Sequence, residues 1–192
     1  MKFTLLICGL LAAAIPAVIF AKPPHDKKSD ALKNVVILVI RHAEKPAKGN
    51  ELSPAGKARA KAYVNYFQNF KVDGQPLKLD YLFAAADSKV SHRARQTIEP
   101  LSKSLGLSID SKIEDEHYQN LADEIRAKPH GKQILICWHH GEIPPLVKAL
   151  GADTDQLFGK DKWPESVYNW VIELRYDSEG RLSGATRIVE DF

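Results

Sequence analysis

Apolar residues cluster along the chain in short runs that are separated by polar stretches. Residues 34–40 and 133–138 are almost unbroken runs rich in valine, isoleucine and leucine, and residues 81–85 form a shorter run of the same kind. Such runs are typical of strands that are buried on both faces in the middle of a parallel sheet. A weaker run at residues 108–113 predicts a further strand.

The stretches between these runs carry helix signals. Ser53-Pro54 supplies an N-cap followed by a proline in the first helical turn, and Gly106 supplies a glycine stop. Four helices are predicted, at residues 54–69, 91–105, 121–127 and from Pro144 up to Gly151. Strands and helices therefore alternate along most of the chain.

The last part of the chain has a different pattern. Residues 168–176 and 181–189 alternate in polarity around the turn residues 177–180, which predicts an antiparallel hairpin. Strands that alternate with helices and then end in a hairpin predict an α/β fold: a three-layer α/β/α sandwich with a mainly parallel central sheet and a C-terminal antiparallel hairpin. We expect residues 34–192 to form this single domain.

The N-terminal segment predicts export. Lys2 precedes an apolar stretch that continues to Phe20, and Ala21 is followed by a polar segment, which is the pattern of a secretory signal peptide. We therefore expect a signal peptide at residues 1–21 and a polar leader at residues 22–33, in an exported protein that is periplasmic or secreted. The alternative is an uncleaved anchor, although the apolar run is at the short end of the roughly 20 residues that a spanning helix needs.

The charge of the chain argues against some partners. Removing 21 of the 192 residues would leave 171, and because Lys2 is the only charged residue removed, the formal net charge would fall from +3 to +2. This charge is too small to predict binding to nucleic acid or to an anionic membrane surface. We expect no nucleic-acid partner and no stable membrane span after cleavage of the signal.

Three segments with cationic or imidazole side chains follow the predicted strands. They are Arg41-His42, Ser88 to Arg93, and His139-His140. Ligands of open α/β sheets bind beyond the carboxyl ends of the strands. We therefore expect these segments to meet at one edge of the sheet.

Such a set of residues fits phosphate chemistry. Arginine presents a planar fork that matches two phosphate oxygens, and an unprotonated imidazole nitrogen can attack phosphorus to form a phosphohistidine. A site of this kind requires no metal and no cofactor, and its partner would be a small phosphorylated substrate. Ser88 and Lys89 are further candidates for substrate binding, with an ordinary solvated loop as the alternative.

Four motifs occur in order between residues 34 and 176. They are Val39-Ile-Arg-His-Ala-Glu-Lys45, Leu52-Ser-Pro-Ala-Gly56, Arg93-Ala-Arg-Gln-Thr97 and Ile134-Leu-Ile-Cys-Trp-His-His-Gly141. Together they resemble the histidine phosphatase superfamily, whose members have a phosphoglycerate-mutase-like fold. The chain resembles a small exported member of that family.

The resemblance implies roles for individual residues. His42 would be the phosphate acceptor, and Arg41 and Arg93 would bind the phosphoryl oxygens. The second histidine of the family would be His139 when counted from the end of the strand. A His-Gly pair, and the Trp-x-His-x-x-Ile-Pro form of one branch, favour His140 instead, which is the position we prefer.

The proton donor is where the chain departs from the clearer patterns of the family. One branch has an acid after the third strand, where Asp115 and Glu116 stand, and another has Asp directly after the second histidine. Glu142 is the nearest substitute for that Asp. We therefore take Glu142, Asp115 and Glu116 as candidate acids.

The resemblance implies a phosphomonoesterase that acts through a phosphohistidine on His42, which is a metal-independent hydrolase of the histidine acid phosphatase type. One alternative is a protein that binds a phosphoryl ligand, or assembles with a partner, but has little turnover. Another is a phosphotransferase or mutase. A mutase has to enclose its intermediate, and the short chain has no long insertion that would serve as a lid.

Overall fold

The computed structural model describes residues 29–159 and 162–192. The strands of these residues are β1 Val36–Arg41, β2 Lys71–Val72, β3 Gln75–Pro76, β4 Tyr81–Ala84, β5 Ile109–Asp110, β6 Gln133–Trp138, β7 Trp170–Tyr176 and β8 Leu182–Val189. The α-helices are α1 Pro54–Gln68, α2 Arg93–Leu105, α3 Tyr118–Ala127, α4 Ile143–Ala149 and α5 Thr154–Phe158. Short 3-10 helices lie at Asp30–Leu32 and Asp115–His117.

Six of these strands form one sheet in the order β5-β4-β6-β1-β7-β8. The pairs β5–β4, β4–β6 and β6–β1 are parallel, whereas β7 pairs antiparallel with both β1 and β8. Helix α1 packs on α2 and α3 packs on α4. The predicted three-layer α/β/α sandwich, with its mainly parallel sheet and C-terminal hairpin, is confirmed.

The register of the parallel strands brings their carboxyl ends to one level. Cys137 of β6 lies opposite Ile40 of β1 and opposite Ala84 of β4. Arg41 is the last residue of β1 and lies opposite Trp138, the last residue of β6. The segments that follow these three strands therefore leave the sheet side by side.

Helix α1 begins where its sequence predicts. Ser53 precedes it, and the Ser53 hydroxyl accepts a hydrogen bond from the Gly56 amide at 3.1 Å. Gly56 also lies against the loop after β1, because a Cβ at this position would be 2.4 Å from the carbonyl oxygen of Glu44. A glycine is therefore required for α1 to pack so closely on that loop.

Some elements differ from the sequence predictions. The strand predicted at residues 108–113 is reduced to Ile109–Asp110, because it lies at the edge of the sheet and pairs only with the short β4. The small β2–β3 hairpin and α5 were not predicted. Their apolar runs are too short to carry a period, although Asp73 and Gly74 between β2 and β3 both have the positive φ of a tight hairpin turn.

The predicted polar leader extends too far along the chain. Leu32 is fully buried in the core, and the Ser29 hydroxyl donates a hydrogen bond to the Arg126 carbonyl at 2.6 Å. The packed domain therefore includes residues before position 34, because Leu32 packs in the core although polar and charged residues surround it in the sequence. The predicted signal peptide at residues 1–21 lies outside the described residues. Within them, no helix is long and apolar enough to cross a membrane.

Candidate active site

Arg41 and His42 are buried at the carboxyl end of β1. The His42 amide donates a hydrogen bond to the Trp138 carbonyl at 2.9 Å, which continues the pairing of β1 with β6 by one residue. The next amide, of Ala43, donates to the hydroxyl of Thr97 in α2 at 2.8 Å. The backbone on both sides of the His42 ring is therefore fixed by neighbouring elements.

The tautomer of His42 follows from its hydrogen bond. The ring nitrogen Nδ1 lies 2.7 Å from the carbonyl oxygen of Ala43. Since a carbonyl only accepts, Nδ1 has to carry the hydrogen, and Nε2 is left with a free lone pair. Burial lowers the pKa of His42 to about 2, against the hydrogen bond to Ala43, which raises it. The imidazole is therefore neutral near pH 7, with Nε2 available as a nucleophile.

Arg41 makes hydrogen bonds with only part of its guanidinium. Its Nη1 donates to the carbonyls of Glu165 at 2.7 Å and Val167 at 2.8 Å, and more weakly to that of Pro164 at 3.4 Å. Its Nε and Nη2 are buried and have no hydrogen-bond partner among the described residues. Burial lowers the pKa of Arg41. The Nε–Nη2 edge is the fork that matches two oxygens of a phosphate.

Arg93 lies in the first turn of α2, beside the same edge of the sheet. Its Nη1 donates to the carbonyls of Gly49 at 3.2 Å and Val90 at 3.4 Å. Its Nε is buried and also has no hydrogen-bond partner within residues 29–159 and 162–192. Burial lowers the pKa of Arg93. The second arginine therefore also has a donor that the protein itself does not use.

The two histidines after β6 face different neighbours. The ring of His139 lies edge-on to that of His42, with 4.9 Å between ring centroids, and its Nδ1 is 4.0 Å from a carboxylate oxygen of Asp115. His140 instead has its Nε2 4.0 Å from a carboxylate oxygen of Glu165, and its Nδ1 is buried without a hydrogen-bond partner in the described part of the chain. Burial lowers the pKa of both histidines.

The structure therefore places His139 against the His42 ring, whereas the His-Gly motif had favoured His140. Residues that follow one another in an extended segment point in opposite directions, and the direction cannot be read from the motif. His140 lines a neighbouring cleft of about 370 Å³ together with Gly141, Pro144, Lys162, Trp163 and Glu165.

The candidate acids lie together on the His139 side of the site. Glu142 is half-buried just before α4. Burial raises its pKa, and the negative charges of Asp115 and Glu116 raise it further. Asp115 is held close to β6 because its carbonyl accepts a hydrogen bond from the Trp138 indole at 3.0 Å. Glu116 is exposed.

Ser88 and Lys89 are exposed in the loop after β4. The Ser88 hydroxyl accepts hydrogen bonds from the amides of Val90 at 3.3 Å and Ser91 at 3.1 Å. This hydroxyl is therefore occupied in holding its own loop. The structure does not bring either side chain into the buried part of the site.

Two residues of the site stand out only in the structure. The Tyr168 ring lies under Arg41, with the guanidinium carbon 3.9 Å from the ring centroid, and its centroid is 6.2 Å from that of the His42 ring. Thr97 accepts from the Ala43 amide and donates to the Arg93 carbonyl at 2.7 Å. Thr97 belongs to the Arg-x-x-Gln-Thr motif, which was a usable signal. Tyr168 lies outside the four motifs, and the sequence shows it only as the start of the predicted hairpin.

One group of side chains in the described residues has the spacing of a metal site. The ligand atoms of Glu114, Glu116 and His117 lie within 4.8 Å of one another, and all three residues are exposed. Exposed groups of this kind are common on protein surfaces without an ion. None of the three is among the buried residues around His42.

Neither a protein-family model nor a curated protein matches the sequence. In structure, the chain is similar to a candidate phosphohistidine phosphatase, SixA, from Agrobacterium tumefaciens, with a TM-score of 0.54 and 17% identity over 80% of this chain and 98% of that one. It is also similar to a phosphoglycerate mutase from Plasmodium falciparum, with a TM-score of 0.51 and 15% identity over 82% of this chain and 89% of that one. These neighbours belong to the histidine phosphatase superfamily. At such identities the similarity establishes the fold, which is the one that the four motifs imply.

Proposed function

We propose that this protein is a phosphohydrolase that cleaves small phosphomonoesters through a phosphohistidine intermediate on His42. The observation that carries the proposal is the pairing of a neutral His42, whose Nε2 has a free lone pair, with the unpartnered Nε–Nη2 edge of Arg41. Arg93 and His139 complete the set around His42. The similarity in fold to proteins of the histidine phosphatase superfamily is consistent with this chemistry.

The reaction would proceed in two displacements. The Nε2 atom of His42 forms a bond to phosphorus while the bond from phosphorus to the leaving oxygen breaks, and that oxygen keeps the electron pair. A water oxygen then attacks phosphorus, and the N–P bond breaks with its electron pair returning to Nε2. Arg41, Arg93 and His139 would stabilise the charge on the phosphoryl oxygens in both steps.

The first displacement also needs a proton for the leaving oxygen. Glu142 is the acid that the structure favours, because burial and the neighbouring charges of Asp115 and Glu116 raise its pKa and so favour its protonated form. Once ionised, the same carboxylate would accept the proton of the attacking water. A Glu142→Gln variant should lose more activity on an alkyl phosphate than on p-nitrophenyl phosphate, whose leaving group needs no acid.

Hydrolysis of p-nitrophenyl phosphate by the wild type and by His42→Ala tests whether the protein is an enzyme that depends on His42. The matched control is His130→Ala. The His130 ring lies against that of Tyr81, which is the first residue of β4 and so lies at the amino end of the strand, away from the site. We expect loss of turnover in His42→Ala alone. Equal background rates in the wild type and His42→Ala, with phosphate still bound, would favour the alternative of a phosphoryl-binding protein.

Quenching the reaction in an alkaline denaturant, with a labelled phosphoryl group on the substrate, tests the covalent step separately. We expect acid-labile, base-stable label on the wild type and none on His42→Ala. A turnover that leaves no labelled protein would contradict the intermediate. Phosphate release that depends on an added acceptor alcohol would instead identify a phosphotransferase.

We also propose export, on the basis of the apolar segment before Ala21. The mature protein would then begin at Lys22 and reach its substrates outside the cytoplasm. Mass spectrometry of the protein recovered from the periplasm or medium tests this point. A chain that keeps Met1 to Ala21 would contradict cleavage.

A further inference from the structure

We propose that Tyr168 is a positioning residue that acts through Arg41. Its ring, with the backbone carbonyls just before it, would hold the Arg41 guanidinium in the one orientation that presents Nε and Nη2 to an oxyanion. The inference rests on the proposed function, since it assigns Arg41 to the phosphoryl group. It adds a part of the site that lies far along the chain from the four motifs.

The first observation is a clamp of carbonyl groups around one nitrogen. The carbonyls of Pro164, Glu165 and Val167 all accept from Nη1 of Arg41. This short segment is itself braced, because the Val167 amide donates to the Pro164 carbonyl at 3.1 Å and the buried Trp163 indole donates to the Val167 carbonyl at 2.8 Å. Rotation of the guanidinium would break several hydrogen bonds to a fixed segment.

The second observation is the ring that follows this segment. The guanidinium carbon of Arg41 lies 3.9 Å from the centroid of the Tyr168 ring, which is within the range of a cation–π contact. The same ring is edge-on to His42 at 6.2 Å. One aromatic side chain therefore contacts the arginine and neighbours the nucleophile, which sets the position of the two groups relative to each other.

The chemistry of these partners also fits an oxyanion site. The hydrogen-bond acceptors of Arg41 are all carbonyl oxygens, and its stacking partner is an uncharged ring. A carboxylate in the same place would neutralise the guanidinium and compete with phosphate for its N–H groups. The charges of Glu165 and Glu44 also act on Arg41, but neither carboxylate forms a described ion pair with it. The groups in direct contact are dipoles and a ring face, which stabilise the buried cation and leave its N–H groups available for the ligand.

Two apolar substitutions separate the contribution of the ring from that of the hydroxyl. Tyr168→Phe keeps the ring face and loses only the hydroxyl, whereas Tyr168→Leu keeps an apolar side chain, although a smaller one, and loses the ring face. Binding of inorganic phosphate to the full chain, measured by calorimetry, is the readout. We expect Tyr168→Phe to bind within about 2-fold of the wild type and Tyr168→Leu to bind about 5- to 10-fold more weakly. Tyr168→Met, with a flexible chain of similar size, repeats the comparison.

The matched control is Phe192→Ala. Phe192 lies against another guanidinium, that of Arg59, at 5.6 Å. Its removal should leave phosphate affinity unchanged. Thermal unfolding of every variant shows whether a weaker affinity reflects a damaged fold. Retained affinity in Tyr168→Phe would show that the ring of Tyr168, and not its hydroxyl, supports phosphate binding.

A double-substitution cycle tests whether Tyr168 acts through Arg41. In an Arg41→Ala background, Tyr168→Leu should cause no further loss of phosphate affinity. An additive loss would overturn the inference, as would wild-type affinity in Tyr168→Leu or equal weakness in the Phe and Leu variants. Failure of the wild type to bind phosphate would overturn the proposed function, and this inference with it. The outcomes given above overturn this inference alone, so the two failures can be told apart.

Discussion

His139 and His140 are neighbours in the chain, but their side chains lie in different surroundings. His139 is edge-on to the nucleophile, and His140 lies beside Glu165 in the adjacent cleft. We expect His139→Asn to lower kcat/KM for p-nitrophenyl phosphate by about 100- to 1000-fold, as for loss of one group that stabilises transition-state charge. His140→Asn should stay within about 10-fold of the wild type. A larger loss in His140→Asn would return the role to the histidine that the motif favoured.

The environment of His42 predicts the pH dependence of the reaction. Since burial lowers its pKa to about 2, His42 binds a proton only at pH values near or below that number. The nucleophile should therefore remain active well into the acid range. We expect kcat/KM, corrected for ionisation of the substrate phosphate, to show no acid limb between about pH 4 and pH 7. An acid limb near pH 6.5 that is assigned to protonation of His42 would contradict a neutral, buried imidazole.

The residues of the site could be predicted from the sequence only where they follow a parallel strand. Arg41 ends β1, His42 follows it, and the pair His139-His140 follows β6, and a parallel sheet brings such residues to one edge. The His-Gly motif nevertheless favoured His140 over His139. Tyr168 precedes β7, whose antiparallel pairing brings its first residues to the same edge, with Val171 opposite Ile40. The sequence shows a hairpin at this point, but it does not show which strand of the sheet that hairpin joins.

At the scale of elements, Thr97 connects α2 to the loop after β1. Its hydroxyl accepts from the Ala43 amide and donates to the Arg93 carbonyl. Thr97→Val keeps the shape but leaves the buried amide unpaired, which should cost about 1–3 kcal/mol of unfolding free energy. It should also lower kcat/KM, because Ala43 directly follows the nucleophile His42 in the chain.

The control for this prediction is Thr97→Ser, which keeps the hydroxyl. Denaturation in urea and the kinetics of p-nitrophenyl phosphate hydrolysis measure the two effects. We expect Thr97→Ser to remain closer to the wild type in both measurements. Val and Ser variants that behave alike would show that the hydroxyl does not hold the loop.

Prediction of elements succeeded where burial imposes a long pattern. The apolar run at residues 133–138 is β6 to the residue, and the Ser53-Pro54 signal gives the start of α1. Short elements such as α5 and β5 depend on neighbours that the local sequence does not specify, so they were missed or overextended. Leu32 was assigned to a solvated leader for the same reason, since a single leucine has no periodicity.

At the scale of the whole molecule, a buried polar network connects the C-terminal end of β8 to the loop that carries the nucleophile. Glu190 has a fully buried side chain and accepts hydrogen bonds from Arg59 Nη1 at 2.7 Å and from the Tyr63 hydroxyl at 2.9 Å. Arg59 in turn donates to Glu44 at 3.0 Å, two residues after His42. Two carboxylates therefore share one arginine, and that of Glu190 is fully buried.

This network predicts a pH dependence of stability. Burial raises the pKa of Glu190 from about 4.5 to about 7. Between those values the folded state binds more protons at this group than the unfolded state, so its contribution is fully present below about pH 4.5 and is lost as the pH rises through about 7. Glu190→Gln removes the titrating group. Relative to the wild type, the variant should therefore gain stability between pH 5 and pH 8, by on the order of 2–3 kcal/mol.

Urea denaturation of both proteins at several pH values between 5 and 8 measures this difference, and the other titrating groups cancel in the comparison. Glu179→Gln provides the control substitution, because it removes an exposed carboxylate at the surface in place of the buried one. A pH-independent difference for Glu190→Gln, or one that falls as the pH rises, would contradict a carboxyl that is protonated in the folded protein. The expected result would show that Glu190 takes up a proton in the folded protein, beside the arginine that also pairs with Glu44.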